Sequence, residues 1–242
     1  MAIIRTHSMF KYCVQGWGKD SYVEITGFDN STSSPIIPAY IDDIPVKSIS
    51  NYAFHKSTIT SIQLPDTLER IEYCAFSFSN NLKSISFPDS VRDIEREVCA
   101  GCDNLQEVKW SKSADYIPPS AFHLCKNLTK ITNIDSVKHI GSYAFYKTGI
   151  QSFKIPKDIE KISKGAFSNC YNLGLVKMTS LPFIYNDVFL NSSNVCINYG
   201  CSTDVKNWAK ERNISLLEKG KLSTFLDDIS ENIKDKEKEG EK

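Results

Sequence analysis

Cys99 and Cys102 are the residues most suggestive of chemistry, because two thiolates separated by two residues can share a metal ion or form a redox pair. A structural zinc needs four ligands, and no second Cys-x-x-Cys occurs in the 242 residues. The four histidines, His7, His55, His123 and His139, would serve as a general base only where a nucleophile or a carboxylate converged on one of them. No Gly-rich phosphate loop, Ser-His-Asp order or His-Glu-x-x-His helix accompanies them. The residues therefore imply no catalytic group, no metal and no cofactor, and a hydrolase is a distant reading.

The positions of these residues have a simpler origin in a repeat. Ala-Phe or a close substitute recurs at Ala53-Phe54, Ala75-Phe76, Val98-Cys99, Ala121-Phe122, Ala144-Phe145, Ala166-Phe167 and Val188-Phe189, at spacings of 22 or 23 residues. An isoleucine stands five residues before each second position: Ile49, Ile71, Ile94, Ile117, Ile140, Ile162 and Ile184. Eight or nine residues after the Phe position comes another apolar position, Ile62, Ile85, Val108, Ile131, Phe153 or Val176, with Ile59, Leu82, Leu105, Leu128, Ile150 or Leu173 three residues earlier. Cys99 thus replaces a Phe. Cys102 shares a column with Cys125 and Cys170, where other repeats place Ser79, Thr148 and Ser192, and a small, weakly polar, buried residue is what that column requires. His55 and His123 also share a column, which puts them about 14 Å apart at one strand spacing per repeat.

A unit of 22 or 23 residues cannot bury its own apolar face, so the units must stack, with like residues forming continuous ladders. The alternation in Ser61-Ile62-Gln63-Leu64-Pro65 and Ser84-Ile85-Ser86-Phe87-Pro88 is that of a half-buried strand ended by proline, which predicts one short parallel strand per repeat. Long turns such as Cys102-Asp103-Asn104-Leu105 carry an asparagine that the short turns Ser57-Thr58-Ile59 and Thr148-Gly149-Ile150 lack; its side chain is expected to satisfy backbone groups of the longer turn.

Tyr22 to Phe28 alternates like a strand, and Asn30 to Pro35 is a turn leading to Ile36-Ile37-Pro38, so a β-hairpin is expected to close the first repeat. At the other end, Ser202 or Thr203 should cap a helix that lays Val205, Trp208 and Ala209 over the last repeat. Beyond Glu218, Leu222, Phe225, Leu226, Ile229 and Ile233 recur at helical spacing before a charged run. The resulting division is 1–45 for an N-terminal hairpin cap, 46–200 for the solenoid, and 201–242 for a helical cap and charged tail.

Together these residues resemble the BspA-like leucine-rich-repeat family, whose repeat runs as isoleucine, three variable residues, Ala-Phe, two residues, Cys, then Leu-x-x-Ile-x-Leu-Pro. The likeness spans about Tyr22 to Ile214, with Ile131-Thr132-Asn133-Ile134 departing from Ile-x-Leu-Pro. It implies an α/β-type leucine-rich-repeat right-handed superhelix of about seven repeats, dominated by short parallel strands. It also implies a non-catalytic surface protein of the adhesion or host-matrix-binding kind. The N-terminal residues lack the basic stretch and apolar run of a secretory signal, so the sequence by itself reads cytoplasmic and the resemblance reads cell surface.

Lys plus Arg equal Asp plus Glu at 29 each, so no overall field would hold the chain on nucleic acid or an anionic membrane. A local patch must do any electrostatic work. The outward strand positions supply one, in the columns Glu107 and Lys130, and Gln63, Ser86, Lys109, Thr132, Lys154 and Lys177, the second of which turns basic towards the C-terminal half. The expected partner is a protein, acidic or of the host matrix, met on this face. The competing expectation is an intracellular scaffold acting through the amphipathic segment from Leu222 to Ile233, with the solenoid as a rigid mount. The aromatic residues Tyr52, Tyr73, Phe78, Tyr143 and Tyr146 are expected to pack over the repeat edge with their polar tips in water.

Overall fold

A computed structural model describes residues 3–200 and 202–217. It is a β-solenoid of about eight turns with mostly parallel strands and little helix. The N-terminal strands are β1 (Arg5–His7), β2 (Phe10–Gln15), β3 (Tyr22–Phe28), β4 (Tyr40–Ile41) and β5 (Ile44–Ile49). In the turns that follow, one strand column comprises β6 (Arg70–Ile71), β8 (Asp93–Ile94), β10 (Tyr116–Ile117), β12 (His139–Ile140), β14 (Lys161–Ile162) and β16 (Phe183–Ile184). A second column comprises β7 (Ser84–Ser86), β9 (Glu107–Lys109), β11 (Lys130–Thr132), β13 (Ser152–Lys154), β15 (Leu175–Lys177), β17 (Cys196–Asn198) and β18 (Ser215–Leu216).

Each regular turn therefore contributes two parallel strands, not the one expected. The isoleucine ladder is itself a strand column, with Ile49 opposite Ile71, Ile71 opposite Ile94, and Ile117, Ile140, Ile162 and Ile184 in register further on. A strand of two residues is too short to show alternation, so nothing in the sequence distinguished it from a loop. The second column holds the expected register, with Ile85 opposite Val108 and Val108 opposite Ile131, then Phe153 opposite Val176 and Val176 opposite Ile197.

A third run of backbone bonds stitches the Ala-Phe turns together. The amide of Phe54 donates to the Ala75 carbonyl at 2.8 Å, and the same bond repeats from Phe76 to Val98, Cys99 to Ala121, Phe122 to Ala144, Phe145 to Ala166 and Phe167 to Val188. Left-handed residues flank this bond in each turn, as at Tyr52 and Lys56, Cys74 and Phe78, Ser120 and Leu124, and Tyr143 and Lys147. That conformation is costly for residues with a Cβ, and here stacking on the next turn holds it in place.

The core is a stack of rings. Phe54 lies on Phe76 with centroids 5.2 Å apart, Phe122 on Phe145 at 5.5 Å, and Phe145 on Phe167 at 5.0 Å. Where Cys99 leaves a gap in this ladder, Trp110 fills it edge-on against Phe122 at 5.8 Å and Phe87 at 5.3 Å, with its Nε1 donating to the Ala114 carbonyl. Trp110 is fully buried.

The covers differ in accuracy from their expectations. The hairpin lies further upstream than anticipated: β3 pairs antiparallel with β2, and β2 with β1. β3 then pairs in parallel with β5, and Ile36 bridges in parallel to Gln63 instead of returning against β3. Phe10 and Tyr12 on β2 are buried, which is the physical reason the chain before Tyr22 belongs to the cap. At the other end, α1 (Thr203–Glu211) starts on Ser202, whose side chain accepts from the Val205 amide, and buries Val205, Trp208 and Ala209. The segment Leu222 to Ile233 lies outside the described residues. No helix among the described residues is long and apolar enough to cross a membrane.

Candidate binding face

The second strand column alternates as a surface should. Ser84 and Ser86 flank buried Ile85, Glu107 and Lys109 flank buried Val108, and Ser152 and Lys154 flank buried Phe153. Ser86, Lys109 and Thr132 lie in register across β7, β9 and β11, and Lys154 lies beside Lys177 across β13 and β15. Gln63 prolongs the same row at the N-terminal side, exposed but bonded through its backbone to Pro35 and Ile37. Glu107 and Lys130 form a parallel row two residues back and are salt-bridged to each other at 2.8 Å.

The charges on this face are not equivalent. Lys154 pairs with Asp135 at 3.2 Å and Lys130 with Glu107, whereas Lys109 and Lys177 have no ion-pair partner among the described residues. The wider charge distribution has the same polarity: residues 101–200 carry 11 lysines against 7 acids, and residues 1–100 carry 9 basic against 12 acidic residues. A field of this kind steers encounter more than it holds a complex.

Two clefts open on the face, one at each edge of the β7-β9-β11 sheet. The first, of about 590 Å³, lies among Gln63, Ser86 and Lys109, where Gln63 makes only an isolated bridge to Ile36 and does not join β7 in the ladder. The second, of about 410 Å³, lies among Lys130, Thr132 and Lys154, where β11 and β13 are unpaired. Sequence reasoning found the row but neither cleft. The signal for the second was Asn133, which stands where other turns have Leu64, Phe87, Trp110 and Ile155 and adopts a φ of 62°.

The residues that first suggested chemistry are structural. Cys99, Cys102 and Cys125 are fully buried, and burial pushes the Cys99 and Cys125 thiols well above the ordinary thiol range, away from the thiolate that metal binding or nucleophilic attack requires. The column of Cys102 and Cys125 is a ladder of donors: Ser79 Oγ donates to the Phe54 carbonyl, Cys102 Sγ to Phe76, Cys125 Sγ to Cys99, Cys170 Sγ to Phe145 and Ser192 Oγ to Phe167. The asparagines likewise bond between turns, not within their own turn as expected: Asn104 Nδ2 donates to the Asn80 carbonyl and Asn127 Nδ2 to Asp103. The seven described cysteines are free, and Cys201 lies outside the described residues.

One pairing escaped the sequence. His55 Nδ1 lies 2.7 Å from Ser77 Oγ, a serine–histidine contact, yet Ser77 is fully buried and its hydroxyl donates to the Cys74 carbonyl. No substrate reaches it. His123 stacks on Tyr146 at 4.7 Å, and Tyr143 lies against Gly165 of the next turn so closely that a Cβ there would strike its ring. These aromatics pack over the repeat edge, as their spacing suggested. No cluster of three His, Cys, Asp or Glu able to hold a metal exists among the described residues.

With this geometry in view, the comparisons with known proteins agree with one another. Residues 47–174 match the BspA type leucine rich repeat region in 6 copies. The fold is similar to that of the Leucine Rich Repeat protein TpLRR of T. pallidum, at a TM-score of 0.58 and 19% identity over 88% of this chain and 97% of that one. It is also similar to a leucine rich cell surface protein from Faecalibacterium prausnitzii A2-165, at a TM-score of 0.56 and 23% identity, covering 73% of this chain. The chain spans about half of that protein, 54% of its length. At these identities the likeness concerns the fold. No curated protein matches the chain. Repeats of this kind are typically non-catalytic and generally mediate protein interactions. With six copies of the repeat covering more than half its length, the chain belongs to the BspA-type leucine-rich-repeat family.

Proposed function

We propose that the chain is a non-catalytic protein-binding module that meets its partner on the second strand column, through Gln63, Ser86, Glu107, Lys109, Lys130, Thr132, Lys154 and Lys177. The observation that carries this reading is the freedom of that row. Its residues, apart from half-buried Thr132, stand exposed beside a largely buried ladder, so packing does not dictate their identity, and both clefts open among them. The partner is a protein with an acidic surface, and adhesion or matrix binding is the fitting role; a neighbouring fold that is itself a cell surface protein supports this. No cofactor is required.

Lys109 and Lys177 make the sharpest test, because neither is held in an ion pair among the described residues. Charge reversal to Lys109→Glu and Lys177→Glu should slow association with a partner identified by pull-down from the full chain. The loss should shrink as added salt screens the attraction. Unchanged association at low salt would remove this face from consideration.

A further inference from the structure

We propose that the seam between β11 and β13 is a docking cleft for an extended, acidic peptide segment of a protein partner. This rests on the reading of the strand face as the binding surface and assigns it a specific site. In the second column, neighbouring turns are joined by two recurrent backbone bonds. One runs from Lys83 to Thr60, Gln106 to Lys83, Thr129 to Gln106 and Gly174 to Gln151; the other from Phe87 to Lys109, Trp110 to Thr132, Ile155 to Lys177 and Met178 to Asn198. At the seam both are missing: the Gln151 amide does not reach the Thr129 carbonyl, nor the Asn133 amide the Lys154 carbonyl, among the described residues. The side chain adds a third donor, since Asn133 Nδ2 is buried without a partner.

Two features show that this gap is held open by the surrounding structure. On the turn side, the Phe122 amide bonds the Ala144 carbonyl at 2.9 Å, and Gly149 sits so close to the Lys126 carbonyl that any Cβ would collide with it. The turns therefore cannot slide together to close the strand side. On the strand side, the left-handed backbone at Asn133 turns its amide out of the ladder. Asparagine adopts this conformation more readily than most residues, and Leu64, Phe87, Trp110 and Ile155 at the same place in other turns do not adopt it.

The chemistry of the cleft selects its occupant. An extended backbone offers alternating carbonyls and amides, which can take up the idle Gln151 and Asn133 donors and the Thr129 and Lys154 acceptors as strand addition does elsewhere. Ile131, only half-buried here although its equivalents Ile85 and Val108 are buried, supplies an apolar floor with Phe153. Lys130 and Lys154 at the mouth are paired with Glu107 and Asp135, but Lys109, opposite Thr132 and without an ion-pair partner among the described residues, favours an acidic side chain on the incoming segment.

The test pans a phage-displayed library of random dodecapeptides against the immobilised full chain and measures the selected peptides on three variants. Asn133→Gly keeps the backbone conformation and removes the amide, and should weaken binding several-fold. Asn133→Asp replaces the donor by an acceptor and should weaken it at least tenfold. Lys109→Glu with Lys177→Glu tests the face as a whole. Amide exchange of the complex should show new protection at Gln151 and Asn133. Peptides that lose affinity for the lysine variant but bind both Asn133 variants as tightly as the native chain would overturn the seam and leave the strand face standing. Peptides indifferent to all three variants, or a library that yields no binder, would overturn both.

Discussion

Between the turns that meet at Pro118 the first strand column stops, and between the turns that meet at Asn133 the second column stops and a cleft of about 410 Å³ opens. At Pro118 the cause is a missing donor. Its equivalents Glu95, Gly141 and Ser163 each donate their amide to the isoleucine carbonyl of the turn before, and proline has no N–H to give. The Tyr116 amide also makes no bond to the Arg92 carbonyl among the described residues, but the rest of the junction bonds: Glu97 to Pro119, Gly101 to His123, Cys125 Sγ to Cys99 and Asn127 Nδ2 to Asp103, while β9 and β11 stay paired. At Asn133 the cause is a backbone conformation, and the supporting side-chain bonds are lost with it. Thr148 donates within its own turn to Phe145, so no side chain reaches the Phe122 carbonyl, and the short turn has no asparagine to reach across. A junction that loses one strand column but keeps the other column and its side-chain donors is still bonded across; one that loses a strand column together with those donors opens on that side.

If this contrast holds, the seam depends on its aromatic stack more than the Pro118 junction does. Phe122→Ala removes the ring that lies on Phe145 across the seam, and should cost about 3–5 kcal/mol in denaturant unfolding. A midpoint that barely moves would show that the Ala-Phe bonds alone carry the turns across.

The Pro118 junction should instead be sensitive to its small-residue donor. Cys125→Ala leaves the Cys99 carbonyl without its side-chain donor and should cost about 1–3 kcal/mol, whereas Cys125→Ser keeps a donor and should lose less. Equal losses for the two variants would show that volume, not the bond, matters in that column.

Acidification offers a way to loosen the seam selectively. Burial, above all, holds the His123 ring below the ordinary histidine pKa, against Tyr146 of the next turn. The unfolded chain then takes up a proton first, so the stability this residue contributes is present above about pH 6.5 and is lost as pH falls through that value towards the lower folded-state pKa. His55 is shifted the same way, chiefly by burial, so the comparison must be with His123→Phe, whose unfolding midpoint should fall less between pH 7 and pH 5 than that of the native chain. Parallel pH profiles would show that the ring is not coupled to folding.

The smallest effect is expected where binding is placed. Lys154→Glu breaks an exposed pair with Asp135 and Lys177→Glu breaks none among the described residues, so together they should change stability by at most about 1 kcal/mol. A larger loss on thermal or denaturant unfolding would mean that the face is part of what holds the turns together.

Periodicity alone determined most of the solenoid. The fixed offset from Ile117 to Phe122 and from Ile162 to Phe167 specified which residues stack, because a unit this small has no other way to bury them, and Ser202 with Val205, Trp208 and Ala209 specified the helix that covers the end. The row from Ser86 to Lys177 was also legible, since alternation against Ile85, Val108 and Val176 leaves it outside. Other features were settled only by contacts between turns. The two-residue isoleucine strands have no pattern of their own, the left-handed residues around each Ala-Phe are held by the next turn, and β1 and β2 join the cap because Phe10 and Tyr12 find a core to cover. Asn133 was visible as a departure from the repeat, but a departure in sequence does not say whether the stack will heal, as at Pro118, or open. That outcome depends on how many neighbouring bonds cross the same gap, which is a property of the assembled turns.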